Sequence, residues 1–145
     1  MDFFKITAEH CAAAAKTEAA CLGTAWSESQ ISEAAENEAY LYLAAVENGF
    51  ICGVASAVFS IDSAFIVNVA VLPELRRRGI ALKLLRLLEE EALKRGCIKI
   101  VLEAASRNAA AIALYERRGF KRTGMRKGLF PKSGDDGVVM VKELV

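Results

Sequence analysis

The chain has 145 residues, of which 54% are hydrophobic and 26% are charged, and its formal net charge is +1. This length and composition exclude a disordered or low-complexity polypeptide and predict a single domain over residues 1–145. The small net charge hides an asymmetry, because residues 1–72 carry two basic and nine acidic side chains whereas residues 73–145 carry seventeen basic and nine acidic ones. The basic second half suits a polyanionic ligand and the acidic first half suits a cationic substrate, unless both sets are simply solvated surface.

The cysteines and the histidine show no metal-binding pattern. The four cysteines are Cys11, Cys21, Cys52 and Cys97, and the single histidine is His10. Without a Cys-x-x-Cys pair or another metal-ligand spacing, we expect no metal site, and the cysteines are typical of buried, reduced thiols in a cytoplasmic protein. The N-terminus has no basic region followed by a cleavage site, which argues against export. The apolar stretch 50–72 has a polar turn at Ser60–Ser63, so two strands fit it better than a membrane span.

In chain order, the first half of the sequence predicts two capped helices and a three-stranded meander. Thr7 is placed to cap the first helix and Ser27 the second, and Glu47-Asn48-Gly49 is placed to turn the chain between two strands. The predicted elements are a strand at Phe3–Ile6, helices from Thr7 to about Leu22 and from Ser27 to about Asn37, and strands at Tyr40–Val46, Phe50–Phe59 and Ser63–Leu72.

The second half predicts two helices, each closed by a glycine, and three strands. Leucines recur at helical spacing up to Gly96, and Gly119 followed by Phe120 provides the C-terminal cap of the later helix. The predicted elements are a helix at Gly79–Arg95, a strand at Ile98–Glu103, a helix at Asn108–Arg118, and strands at about Lys121–Arg126 and Gly137–Lys142. The order β-α-α-β-β-β-α-β-α-β-β predicts a mixed α/β (α+β) fold in which helices flank a mostly antiparallel central sheet.

A phosphate-binding turn is predicted between the strand that stops at Pro73 and the following helix. We call this segment the arginine turn; its residues are Arg76, Arg77, Arg78, Gly79, Ile80 and Ala81. The first N–H groups of a helix lack intrahelical partners and lie at its positive end, Gly79 tolerates a positive φ, and the arginines add charge. A pyrophosphate fits such a turn, although a solvated arginine-rich turn is the alternative. Neither G-x-x-x-x-G-K-[ST] nor G-x-G-x-x-G occurs, which disfavours NTPases and Rossmann dinucleotide-binding proteins.

The motif Arg-x-x-Gly-x-Ala in this context resembles the acyl-CoA-binding segment of the GNAT N-acetyltransferase family, and the order of elements is also that of the family. The resemblance covers nearly the whole chain and is strongest from Asn68 to Phe120, where it is closest to the bacterial RimI-type enzymes. Its segments are Asn68–Val71, the arginine turn, Leu102-Glu103, Asn108–Glu116, Gly119-Phe120 and, earlier, Trp26-Ser27-Glu28. The resemblance implies an acetyl-CoA-dependent N-acetyltransferase that modifies the N-terminal alanine of a small-subunit ribosomal protein.

Two side chains are candidates for moving protons. Glu103 is predicted to end an apolar strand at the rim of the sheet, where partial desolvation suits a general base. Tyr115 points inward from its helix, and its hydroxyl is able to donate a proton to sulfur as a thioester breaks down. The resemblance implies these two roles, proton acceptor and proton donor. The alternatives are a surface glutamate at a strand end and a core tyrosine.

Further residues are implied to bind the cofactor. Asn108 is a helix cap by position, and the resemblance adds a contact with the pantetheine arm. The resemblance also implies that two neighbouring strands part near Val69, Ala70 and Val71, so that their main chain pairs with pantetheine as with an added strand. Plain strand core is the alternative for these three residues.

The sequence predicts the acceptor substrate less specifically than the acetyl donor. An α-amine is easier to deprotonate at neutral pH than a lysine, which favours a ribosomal protein N-terminus. Ala25 and Leu129-Phe130-Pro131 depart from the proline and the Tyr-Tyr-Pro segment of the resembled enzymes, which puts the peptide preference in doubt. A small amine, a lysine or a non-catalytic acyl-CoA-binding module are the alternatives. We expect a monomer or weak dimer without direct nucleic-acid binding, because the basic half has few aromatic residues for stacking.

Overall fold

A computed structural model describes residues 1–22, 25–130 and 132–145, and it has the order of elements that the sequence predicts. The strands are β1 (Asp2–Lys5), β2 (Tyr40–Glu47), β3 (Phe50–Phe59), β4 (Ser63–Val71), β5 (Lys99–Ala105), β6 (Lys121–Phe130) and β7 (Asp135–Glu143). The α-helices are α1 (Cys11–Cys21), α2 (Glu28–Glu36), α3 (Ile80–Lys94) and α4 (Ala109–Arg117), and short 3-10 helices form at Ala8–His10 and Pro73–Leu75. The predicted mixed fold with a mostly antiparallel sheet is confirmed.

The strands form one sheet in the order β1-β2-β3-β4-β5-β7-β6. Every neighbouring pair is antiparallel except β4 and β5, which run parallel. These two strands are paired over only three residue pairs, from Ser63 with Lys99 to Phe65 with Val101. Because both continue in the same direction beyond that point without pairing, a gap opens between their carboxyl ends.

The sheet separates two apolar clusters. On one face, leucines of α3 such as Leu84 and Leu88 pack with Ile100 of β5 and with Tyr115 of α4. On the other face, Ala14 of α1 packs with residues of α2 and with the first strands of the sheet. We refer to these as the α3/α4 face and the α1/α2 face. The gap between β4 and β5 therefore connects the face covered by α3 and α4 with the face covered by α1 and α2.

A glycine in β3 sets the position at which α3 begins. A Cβ atom on Gly53 would lie 3.1 Å from Cγ2 of Ile80 and 3.2 Å from the carbonyl oxygen of Ala70. The absence of a side chain at Gly53 thus allows the first residue of α3 to lie directly against β3 and β4. The positive end of α3 is thereby brought next to the carboxyl end of β4.

The predicted caps of α2 and α4 are confirmed. The Ser27 hydroxyl accepts a hydrogen bond from the Gln30 N–H at the start of α2. At the end of α4, Gly119 has a φ of 95°, and the Phe120 N–H donates to the Tyr115 carbonyl oxygen at 3.0 Å. The rings of Tyr115 and Phe120 are 6.0 Å apart. This C-terminal cap fixes the turn of helix that carries Tyr115.

Three predicted details are wrong. Strand β5 continues to Ala105, so Glu103 lies inside the strand rather than at its end. The last two strands are longer than predicted, because β6 continues beyond Arg126 through Gly128 to Phe130 and pairs along β7. Cys21 is only partly buried, whereas the other three cysteines are buried. The end of β5 was missed because the strand that pairs with it, β7, is distant in sequence, so no local pattern marks where β5 stops.

Candidate active site

A cleft of about 310 Å³ occupies the gap between β4 and β5. It brings together four residues that the sequence singled out: Val69, Glu103, Asn108 and Tyr115. The end of α1 and the β6–β7 hairpin also contribute, through Cys21, Leu22, Phe130, Lys132 and Ser133. Of these, Phe130 belongs to the segment Leu129-Phe130-Pro131 that the sequence related to peptide preference, whereas the other four were missed; Pro131 lies outside the described residues. A larger, more open groove of about 590 Å³ beside α1 contains none of the predicted site residues, so the chemistry points to the smaller cleft.

The main chain of β4 is exposed to the cleft at alternate residues. The Leu72 N–H donates to the Cys52 carbonyl oxygen at 2.9 Å, and hydrogen-bonded and non-bonded pairs alternate along an antiparallel ladder. In this register Ala70 bonds to β3, whereas Val69 and Val71 direct their N–H and C=O groups into the gap. The main chain of Ala70 is therefore turned away from the cleft, and its role in binding the cofactor stays a prediction.

The arginine turn combines two positive φ angles with the N-terminal end of α3. Gly79 has a φ of 80°, as predicted, and Arg77 has a φ of 65°, which was not predicted. The Lys83 N–H donates to the Gly79 carbonyl oxygen at 3.0 Å, so it is the first N–H to be bonded within α3. The N–H groups of Ile80 and Ala81 precede it at the positive end of the helix, and no acidic side chain lies in the first turn.

The arginine side chains tie this turn to the sheet. Arg76 Nε donates to the Val71 carbonyl oxygen at 3.0 Å, and Arg78 Nη1 lies 3.7 Å from the Glu47 carboxylate. Arg76, Arg77 and Arg78 are all exposed. A pyrophosphate at the turn would therefore meet main-chain donors together with guanidinium groups that have few competing partners in the described chain.

Replacing Gly79 by alanine tests the backbone of this turn. An added Cβ would have no atom within 4 Å, so the substitution acts through the positive φ alone and costs about 1–2 kcal/mol. If the whole cost falls on the bound state, we expect the affinity for acetyl-CoA, measured by titration calorimetry, to fall by about fivefold to thirtyfold. Gly96→Ala is the matched control, since Gly96 has a φ of 82° at the opposite end of α3. Equal affinities in the Gly79 variant and the wild type would contradict this.

Glu103 lies on the α1/α2 face of β5, because Leu102 and Ala104 on either side are buried on the other face. Its Oε1 atom accepts a hydrogen bond from Nη1 of Arg126 at 2.8 Å. The Glu103 side chain is 14% exposed, whereas the Arg126 side chain is 61% exposed. Although Glu103 does not end its strand, it still borders the gap because β4 has already separated from β5. Arg126 was missed, since nothing in the local pattern of β6 relates it to β5.

Tyr115 enters the cleft from the α3/α4 face. The residue is 9% exposed, and its burial raises the pKa of the phenol to about 12. The hydroxyl is therefore protonated at any physiological pH. Asn108 caps α4, because its side-chain oxygen accepts from the Ala111 N–H at 3.1 Å. Asn108 also lines the cleft, and its side-chain N–H₂ group is a hydrogen-bond donor on that wall.

Two further properties of the described residues concern other kinds of site. No helix in the described ranges is long and apolar enough to cross a bilayer. No group of three or more His, Cys, Asp or Glu side chains in the same ranges is placed to hold a metal ion.

Residues 9–120 match the model of the acetyltransferase (GNAT) family. The chain belongs to this family. Over 117 residues it is 35% identical to the ribosomal protein bS18-alanine N-acetyltransferase of Escherichia coli, covering 79% of this chain and 78% of that enzyme. It is also 35% identical over 108 residues to the bS18-alanine N-acetyltransferase of Haemophilus influenzae, covering 72% of this chain and 73% of that enzyme.

The fold agrees with these relatives. The crystal structure of the Escherichia coli ribosomal-protein-S18-alanine N-acetyltransferase superposes with a TM-score of 0.89 at 31% identity, covering 99% of this chain and 93% of that one. The predicted resemblance to the GNAT family and to its RimI-type members is confirmed. As a GNAT protein, the chain is an N-acetyltransferase that uses acetyl-CoA as the acetyl donor.

Proposed function

We propose that this GNAT protein acetylates the N-terminal amine of a protein, with the N-terminal alanine of ribosomal protein bS18 as the acceptor. The observation that carries the proposal is the cleft between β4 and β5, which has Tyr115 on the α3/α4 face and Glu103 on the α1/α2 face. The 35% identity to two bS18-alanine N-acetyltransferases supports the choice of acceptor. The four free cysteines are compatible with a cytoplasmic location, where ribosomal proteins are available.

The donor would lie toward the α3/α4 face. The arginine turn would hold the pyrophosphate, and the main chain of Val69 together with the Val71 N–H would pair with the pantetheine arm, since the Val71 carbonyl oxygen already accepts from Arg76 and Cys21. Asn108 would donate to the same arm from the start of α4. When bound there, acetyl-CoA supplies an acetyl group activated as a thioester.

The acceptor amine would reach the cleft from the α1/α2 face, where Glu103 lies. Arg126 donates to Oε1 of Glu103, so Oε2 is the oxygen that would take the proton from the amine. The amine nitrogen forms the new bond to the acetyl carbon as the bond from that carbon to sulfur breaks. Tyr115 would give its hydroxyl proton to the departing sulfur, so that one proton is taken up and one is released on opposite faces of the sheet.

Mass spectrometry of a peptide mixture tests the proposal. A peptide with the N-terminal sequence of bS18, beginning with alanine, is expected to gain one acetyl group from acetyl-CoA. The same peptide with a blocked α-amine and an internal lysine is the control for lysine acetylation, and a polyamine is the control for small amines. Turnover of either control without turnover of the free N-terminus would contradict the proposed acceptor.

Replacing Tyr115 by phenylalanine tests the proposed acid. The ring and its contact with Phe120 are retained, so only the proton donor is lost, and we expect kcat to fall by about tenfold to a hundredfold. The wild-type activity should show no loss from tyrosine ionisation below about pH 11, because a raised phenol pKa keeps the acid form present up to that pH. Tyr40→Phe is the control, because the Tyr40 ring packs 6.2 Å from that of Trp26 and does not line the cleft. Unchanged kcat in the Tyr115 variant would contradict the role.

A further inference from the structure

A buried carboxylate on α1 has no part in the reaction described above. Glu18 has no exposed surface. Its carboxylate accepts hydrogen bonds from the Tyr42 hydroxyl, from the Trp26 main-chain N–H at 2.9 Å and from Asn68 Nδ2 at 3.2 Å. Tyr42, Ser56 and Asn68 are register partners across β2, β3 and β4, so Glu18 lies over a continuous row of polar side chains.

The Glu18 carboxylate holds one side chain that lines the cleft on the α1/α2 face, that of Asn68. Leu22 also lines the cleft, and it follows the end of α1, the helix that carries Glu18. Next to them, the Cys21 thiol donates to the Val71 carbonyl oxygen at 3.4 Å. Glu18 itself is too deeply buried to touch a substrate, so any effect on the reaction must pass through these neighbours.

If the side chain at position 18 only filled space, an apolar group would be more stable there than a carboxylate. Burial raises the pKa of Glu18, although its three hydrogen-bond donors act in the opposite direction. An apolar side chain of similar size would avoid the cost of burying a charge. It would, however, leave the Trp26 N–H and the Asn68 amide without their acceptor. The distinctive property of Glu18 is therefore that its single carboxylate accepts hydrogen bonds both from Trp26, which follows α1, and from Asn68 of β4.

We propose that Glu18 is a positioning residue for the acceptor amine, because it fixes Trp26 and Asn68 and so gives the acceptor side of the cleft one shape before the amine binds. The inference rests on the proposed function, which assigns the α1/α2 face to the acceptor. It predicts that loss of Glu18 impairs the use of the acceptor far more than the binding of acetyl-CoA, whose proposed contacts lie at the arginine turn and on the α3/α4 face.

Three variants test this assignment. Glu18→Leu removes the acceptor of the hydrogen bonds, whereas Glu18→Gln keeps one acceptor oxygen without the charge. We expect the leucine variant to raise the KM for the acceptor peptide at least about fivefold, with the Kd for acetyl-CoA, measured by calorimetry, within about twofold of the wild type. The glutamine variant should recover part of the loss. Glu89→Gln is the matched control, because Glu89 is also buried but binds Arg118 and Lys142; its peptide KM should be unchanged.

Amide hydrogen exchange in the wild type tests the inference without relying on the folding of a variant or on an acceptor peptide. The Trp26 amide hydrogen should exchange slowly with solvent, because its acceptor is a buried carboxylate, and it should exchange faster in Glu18→Gln. Fast exchange in the wild type overturns the inference, as does a leucine variant in which the peptide KM and the acetyl-CoA Kd change equally. If the wild type acetylates no peptide, the proposed function fails, and Trp26 exchange alone then decides whether Glu18 fixes the main chain at Trp26.

Discussion

Replacing Glu103 by glutamine is expected to lower kcat for acetylation by about 10² to 10⁴, the range that general acid–base groups contribute. Glutamine has almost the same volume, and its amide oxygen is still able to accept the hydrogen bond that Arg126 donates at 2.8 Å. It is not able to take the proton of an attacking amine. The Kd for acetyl-CoA should therefore stay near the wild-type value, since Glu103 faces the acceptor side of the sheet. Initial rates at saturating donor and acceptor measure the effect.

A second glutamate that pairs with β6 provides the control for this substitution. Glu116 lies 3.7 Å from Arg122 and is well exposed, so Glu116→Gln removes a similar ion pair outside the cleft and should leave kcat unchanged. If the Glu103 variant retains the wild-type rate, Glu103 is not the base. If both variants lose activity equally, the loss results from breaking an ion pair with an arginine of β6 and not from removing a proton acceptor.

Replacing Glu89 by glutamine is expected to lower the free energy of unfolding by about 3 kcal/mol, because two cations lose their shared counter-ion. Glu89 is 5% exposed. Its carboxylate accepts from Nε and Nη2 of Arg118 at 3.1 and 2.9 Å and from Nζ of Lys142 at 2.5 Å. It therefore joins α3 to the end of α4 and to β7. Urea denaturation at neutral pH, followed by circular dichroism, measures the change.

The control for Glu89 is an exposed pair on the same helix. Arg95 Nε lies 2.9 Å from the Glu91 carboxylate, one turn away, with both side chains about one third exposed. Glu91→Gln should cost at most about 0.5 kcal/mol, as exposed pairs within helices do. A loss of similar size in both variants would show that the Glu89 cluster is worth no more than a surface ion pair.

Local signals were sufficient for the elements and for the backbone of the arginine turn. The order of helices and strands follows from apolar periodicity, and the positions of Ser27, Gly79 and Gly119 follow from the φ values and caps that their turns require. The arginine turn could be found for the same reason. Strand, turn and helix are consecutive in the sequence, so the geometry of the turn is determined within a few residues.

The acceptor side could not be predicted in the same way, because its contacts join distant parts of the chain. Glu18 lies in an alanine-rich helix and has the local pattern of a solvated side chain, yet Tyr42 and Asn68 bond to it from 24 and 50 residues away. Arg126 similarly bonds to Glu103 across 23 residues. Such pairs are created by the packing of the sheet, and a single sequence has no local signal for them.

The short pairing between β4 and β5 also has a thermodynamic consequence. Only three residue pairs join these strands, so few backbone hydrogen bonds connect the two parts of the sheet on either side of the gap. A donor bound along β4, as proposed, would add contacts between the two parts, and it would bind only when both are folded. Its binding energy is then linked to the folding equilibrium, so the cellular supply of acetyl-CoA would influence how long each molecule survives as well as how fast it works.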